Sequence, residues 1–141
     1  MNGNPSGYVR SERHGASMTI EFFHPQSNSL PGALLGELAT QIHSAGLDEE
    51  IRVILLRSVG EKAFCAGASF AELSRIRTAR EGEDFFNGFA HVLNSMRKCP
   101  KFIIARVQGK CVGGGAGLVA AADYAIALTG AEIKLSELAI G

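Results

Sequence analysis

Two glycine-rich segments, residues 63–68 (AFCAGA) and 113–117 (GGGAG), each follow a short apolar run, IRVILLR at 51–57 and FIIARV at 102–107. Such runs read as buried strands. The glycines behind them would expose backbone N–H groups at a helix start, the usual material of an oxyanion hole or an anion site. Two separate donors converging on one oxygen would stabilise an enolate or a tetrahedral oxyanion. Taken alone, Gly113, Gly114 and Gly115 equally suit close packing of a helix on a strand. Nucleotide loops fit less well: Lys110 precedes the glycines instead of following them, and a GxGxxG begun at Gly113 meets Leu118 at its last position.

Three carboxylates lie near the second segment: Asp123, Glu132 and Glu137. Glu137 stands among Leu135, Leu138, Ala139 and Ile140. A carboxyl in an apolar setting is favoured in its neutral form and can serve as acid and base; a glutamate exposed at a strand end is the plainer alternative. Asp123 suits a backbone hydrogen bond at a helix–strand junction. No GxSxG occurs, so a serine triad has no local support. His14, His24, His43 and His91 show no metal-ligand spacing with one another or with the cysteines, and no metal is expected.

The elements that must position these groups alternate between strand and helix, an α/β pattern. Strands are expected at 8–13, 17–23, 51–57, 102–107 and 124–128, with a further one at 132–135. An amphipathic helix over 30–44 is predicted by Leu30, Leu34, Leu35, Leu38 and Ile42, with Pro31 in its first turn and Gly46 as its stop. A short helix is expected at 70–76 and a long one at 82–98, where Phe85, Phe86 and Phe89 read as core and Pro100 blocks continuation. Residues 115–122 read as a tightly packed helix and 138–141 as an apolar loop. The expected organisation is a flexible end at 1–7 and one domain at 8–141.

Composition narrows the function. Of 141 residues, 46% are hydrophobic and 20% charged, which is the globular range. Lys plus Arg and Asp plus Glu each number 14, so the net charge is zero. That argues against a nucleic-acid partner held by phosphate neutralisation and gives no electrostatic case for a membrane surface. No apolar run approaches the ~18 residues of a membrane span. Cys65, Cys99 and Cys111 cannot all pair within one chain and are expected as reduced thiols of a cytoplasmic protein.

In combination the motifs are more specific than any one of them. Lys62-Ala63-Phe64-Cys65-Ala66-Gly67-Ala68, then Val107-Gln108-Gly109, Gly113-Gly114-Gly115, Ala122-Asp123 and Ser136-Glu137-Leu138-Ala139-Ile140-Gly141, resemble in order and spacing the crotonase (enoyl-CoA hydratase/isomerase) superfamily. The resemblance covers residues 8–141. It implies a spiral of ββα units, with the family's C-terminal helical region expected to be missing, and a homotrimer or hexamer when full length. It implies an acyl-CoA thioester as partner and no cofactor beyond the coenzyme A of the substrate. Carried over by position, the N–H groups of Ala68 and Gly114 would hold the thioester oxygen, with Gly113 beside them. Ala66 and Gly67 would meet the adenine, and Gln26 and Ser29 would line the CoA path.

Typical hydratases of the family use two glutamates. The second matches Glu137; the position of the first is Gly117, and the usual aspartate after the first oxyanion segment is Ser69. One glutamate suffices for a 1,3 proton shift, as in the family's isomerases, whereas the run from Gly113 to Ala121 resembles the methylglutaconyl-CoA hydratase branch. The expected activity is enoyl-CoA hydration, branched substrates such as methylglutaconyl-CoA included. The alternatives are an enoyl-CoA isomerase or a non-catalytic acyl-CoA binding module.

Overall fold

A computed structural model describes residues 6–140. The expected loose end at 1–7 lies largely outside these residues, as does Gly141. Gly7 does not behave as a loose end: at φ 72° it sits so close to Phe23 O and the Leu34 side chain that a Cβ would clash with both.

β1 (Tyr8–His14) and β2 (Ser17–Phe23) form an antiparallel hairpin through a turn at Gly15 and Ala16. β3 (Val53–Ser58) and β5 (Phe102–Val107) add in parallel, and β7 (Tyr124–Ala127) closes the five-stranded sheet in the order β1-β2-β3-β5-β7. A second, three-stranded parallel sheet has the order β4-β6-β8, from β4 (Ala63–Cys65), β6 (Lys110–Val112) and β8 (Ile133–Lys134). From β3 onward the chain repeats one unit: a strand in the large sheet, a short strand in the small sheet, then helix. The helices are α2 (Phe70–Leu73) with α3 (Ala79–Lys98), then α4 (Gly114–Ala121), then α5 (Glu137–Ile140). This is the expected ββα spiral.

One core cluster joins the sheets and the helices: Ile20, Phe22, Ile54, Leu56, Ile103 and Ala105 of the large sheet, Phe64 and Cys111 of the small one, and Leu34, Leu35, Leu38 and Ile42 of α1 (Gly32–Leu47). On β2, between β1 and β3 and on the sheet face opposite Ile20 and Phe22, Glu21 is buried and shared by three partners: the Tyr8 hydroxyl donates to it at 2.9 Å, and the guanidiniums of Arg57 and Arg10 pair with it at 2.8 and 2.6 Å. Burial pushes its carboxyl up, but the hydroxyl and the two guanidiniums outweigh this and hold it below its ordinary value.

Several expectations need correction. Gly46 does not stop α1. It is a buried helical residue, because the ends of α1 and α3 meet there and a Cβ would lie 3.2 Å from Cys99 Sγ and 3.3 Å from Pro100 Cδ. α3 starts at Ala79, three residues earlier than expected, since Thr78 and Glu81 form a reciprocal capping box. Two of its phenylalanines are not core: Phe86 is exposed and stacks edge-on against a half-buried Phe85, while Phe89 packs half-buried against the core and Val92 and Met96 are buried. β4 opens the first glycine segment and β6 precedes the second, at positions where no strand was expected. Residues 137–140 form a helical turn, Ala139 N–H donating to Ser136 O at 3.0 Å, where an apolar loop was expected.

Candidate active site

The small sheet dictates where the glycine segments go. In a parallel sheet the carboxyl ends of neighbouring strands open on the same edge. The order β4-β6-β8 therefore lines up three loops: residues 66–68 after β4, 113–114 after β6, and 135–137 after β8, with the triplet in the middle. Glycine lets them touch. Gly67, at φ 91°, would carry its Cβ 3.0 Å from Val112 O and 3.7 Å from Gly114 N. A Cβ on Gly115 would fall inside the van der Waals shell of Cys65 O. Gly113, at φ 54°, occupies a conformation that strains any side chain, and its Cβ would lie 2.7 Å from Glu137 Oε1. Gly113, Gly114, Gly67, Ala68 and Glu137 are thus brought to one place.

Gly114 is the first residue of α4, so its N–H is one of the helix's orphan donors. Among the described residues no backbone acceptor takes the N–H of Ala68 or of Gly114. The loop carrying Ala68 is held from the other side: Leu30 N–H donates to Gly67 O at 2.8 Å, Ser69 N–H to Leu30 O at 3.2 Å, and the Ser29 hydroxyl to Ala68 O at 2.8 Å. Ser29 therefore fixes the Ala68 peptide. Ser69 is buried and caps α2, accepting from Glu72 N–H at 3.3 Å. Gln26 is exposed. It lies in the loop edging a cavity of about 340 Å³ lined by His24, Asn28, Lys62 and Ala63 among others. Ala66 is half-buried between β4 and Gly67.

Glu137 does not sit in the apolar setting its sequence neighbours suggest. It is exposed, as are Leu135 and Leu138. Gly117, on α4 one turn beyond Gly114, faces Leu93 of α3, whose methyl carbons would lie 3.3 and 3.5 Å from a Cβ there. Beneath the loops, burial pushes the Cys65 thiol up to about 12 and the Cys111 thiol up to about 11, so neither supplies a thiolate nucleophile at neutral pH. Asp123 does what its position predicts: its carboxylate accepts from Ile103 N–H at 2.7 Å.

Two residues to which the sequence reading gave no positioning role hold the loops, although Gln108 stands in one of its motifs. Asn28, buried with φ 56°, accepts from His24 N–H at 2.8 Å and donates from Nδ2 to Val59 O and Ala63 O at 2.8 and 2.9 Å. Gln108 donates from Nε2 to Ser58 Oγ and Gly60 O at 2.9 and 3.0 Å. Together they tie the loops before β4 to the small sheet. An asparagine tolerates the left-handed region better than other side chains, which is the one signal Asn28 gives.

The enoyl-CoA hydratase/isomerase family model matches residues 12–141. Among curated proteins, the chain is 32% identical over 110 residues to the mitochondrial methylglutaconyl-CoA hydratase of Rattus norvegicus, covering 78% of this chain and 35% of that protein. It is 29% identical over 136 residues to the mitochondrial 3-hydroxyisobutyryl-CoA hydrolase of Bos taurus, covering 94% and 35%. The crystal structure of an enoyl-CoA hydratase from Mycobacterium smegmatis superposes with a TM-score of 0.88 at 30% identity, over 94% of this chain and 52% of that one. The chain spans about half or less of the length of these relatives. With the ββα spiral, the paired glycine loops and the glutamate beside them all in family order, the chain belongs to the enoyl-CoA hydratase/isomerase family and has the crotonase fold.

Proposed function

We propose that the protein acts on an enoyl-CoA thioester through an enolate, whose oxygen is held by the N–H groups of Ala68 and Gly114, with Glu137 as proton carrier. The observation that carries this reading is the place of Glu137 Oε1, 2.7 Å from where a Cβ on Gly113 would stand, beside the Gly114 N–H that no backbone acceptor takes among the described residues. Negative charge growing on the thioester oxygen would meet the two donors and the positive end of α4. The enolate gains more than the ground-state carbonyl, and that difference lowers the barrier. In this reading Gly113, Ala66 and Gly67 line the CoA path with Gln26, and Ser29 orients Ala68.

A single carboxylate sets the reaction. In a 1,3 shift Glu137 removes a proton from one carbon of the acyl group, the electron pair delocalises into the thioester, and the same proton returns two carbons away. No water takes part. Leu93 against Gly117 favours this arm, because apolar methyls fill the direction a side chain at 117 would take. The second arm is hydration, hydroxide adding to C3 and a proton to C2, and the likeness to methylglutaconyl-CoA hydratase favours it. Assembly into a homotrimer or hexamer belongs to the same reading.

Mass spectrometry of products formed in heavy water from a panel of enoyl-CoA thioesters tests this. Deuterium uptake or double-bond migration without added water assigns the 1,3 shift, and a product heavier by one solvent molecule assigns hydration. Binding without exchange at any carbon would leave only the acyl-CoA binding module.

A further inference from the structure

Phe85, Phe89 and Leu93 recur every fourth residue on α3 and so lie on one stripe of its surface. Two of them meet the site. Three carbons of the Phe89 ring lie 2.7–2.8 Å from where a Cβ on Gly114 would stand, so the ring rests directly on the backbone carrying the Gly114 N–H. Leu93 rests in the same way on Gly117. The stripe continues away from the glycine loops to Phe85, which lines a cavity of about 380 Å³ with Ile76, Glu72, Arg75, Glu81 and Asp84.

Charge around that cavity is uneven: three carboxylates face one guanidinium. Two of the carboxylates are fixed in place. Glu72 Oε2 accepts from Gly32 N–H at 2.9 Å, and Glu81 Oε2 accepts from Arg77 and Thr78 N–H at 2.7 and 3.1 Å.

We propose that Phe89 and the carboxylates beyond it determine substrate specificity, admitting an acyl group that is apolar to its end and rejecting one that ends in a carboxylate. This rests on the acyl-CoA reading above and opposes methylglutaconyl-CoA as the substrate. An acyl chain leaving the oxygen held at Gly114 runs along the Phe89 ring and gains from removal of apolar surface from water. A terminal carboxylate on that path loses its hydration and meets like charges at the cavity, a repulsion that discriminates between ligands of equal length.

The test is calorimetric titration of the full chain with 2-hexenoyl-CoA and its dicarboxylic counterpart, 2-hexenedioyl-CoA. The monoacid thioester should bind at least ~10-fold more tightly, a difference of about 1.4 kcal/mol. The double change Glu81→Gln and Asp84→Asn, which keeps the capping box, should narrow the gap to about 3-fold or less by tightening only the dicarboxylic ligand. Phe89→Ser should weaken the monoacid more than the dicarboxylic thioester, whose binding rests less on burial. Equal binding by the wild type, or a gap unmoved by neutralisation, overturns the specificity assignment alone. Failure of both thioesters to bind overturns the acyl-CoA reading and this inference with it. The expected preference without turnover in heavy water supports the specificity assignment and overturns the proposed chemistry.

Discussion

The two sides of the candidate site are built differently. On the donor side, Ala68 and Gly114 follow buried strands: Phe64, Cys65 and Cys111 have no exposed surface, and Asn28 and Gln108 tie the surrounding loops together. On the Glu137 side, every residue of β7 is exposed, Leu135 is 59% exposed and Leu138 84%, and Glu137 stands on a single helical turn. Among the described residues the candidate donors are set in the packed part, and the candidate carboxylate is on the exposed part. Stability and chemistry should therefore respond to different residues.

The largest effect should come from the packed side. Gly115→Ala drives a methyl group into the Cys65 carbonyl and should lower unfolding free energy by about 3 kcal/mol or more, read from urea titration. Asn28→Ala leaves the carbonyls of Val59 and Ala63 without their donor and should cost about 2 kcal/mol; a midpoint within error of wild type would show that the loop needs no such tie.

Much of the fold was legible because periodicity reports burial. β2, β5 and most of α1 follow directly from the spacing of Ile20, Phe22, Ile103, Leu34, Leu38 and Ile42. Periodicity marks a stripe without saying what lies opposite it, which is why Phe85 and Phe86 read as core and are not. β4 and β6 have three residues each, too few for a period, and all three of β4 are buried. The ties made by Asn28 and Gln108 join positions 31 to 50 residues apart and leave no local pattern. In the site, the nearness of Gly67, Gly113 and Glu137 comes from the strand order of the small sheet, and only the order of motifs along the chain pointed to it.

A smaller effect separates the regions by pH. Glu21 has its carboxyl held below the ordinary value in the folded state, so its contribution is fully present above the unfolded pKa of about 4.3 and is lost as pH falls through the lower folded value. Glu21→Gln should cost about 1–2 kcal/mol at pH 7, a deficit that shrinks as the wild type is taken below pH 4; a deficit constant with pH would remove the ion pairs from the account. The smallest effect is expected on the open side, where Ile126→Ser should change stability by no more than about 0.5 kcal/mol, checked by thermal unfolding.

The central claim is that Glu137 carries the proton beside donors whose geometry it does not hold up. Glu137→Gln tests it in one experiment with two readings: deuterium exchange into an enoyl-CoA thioester that the wild type turns over, and the urea midpoint of the same sample. The account predicts that exchange falls at least ~100-fold while the midpoint stays within error of wild type. Exchange at the wild-type rate would contradict it, and so would a loss of exchange matched by a loss of folding.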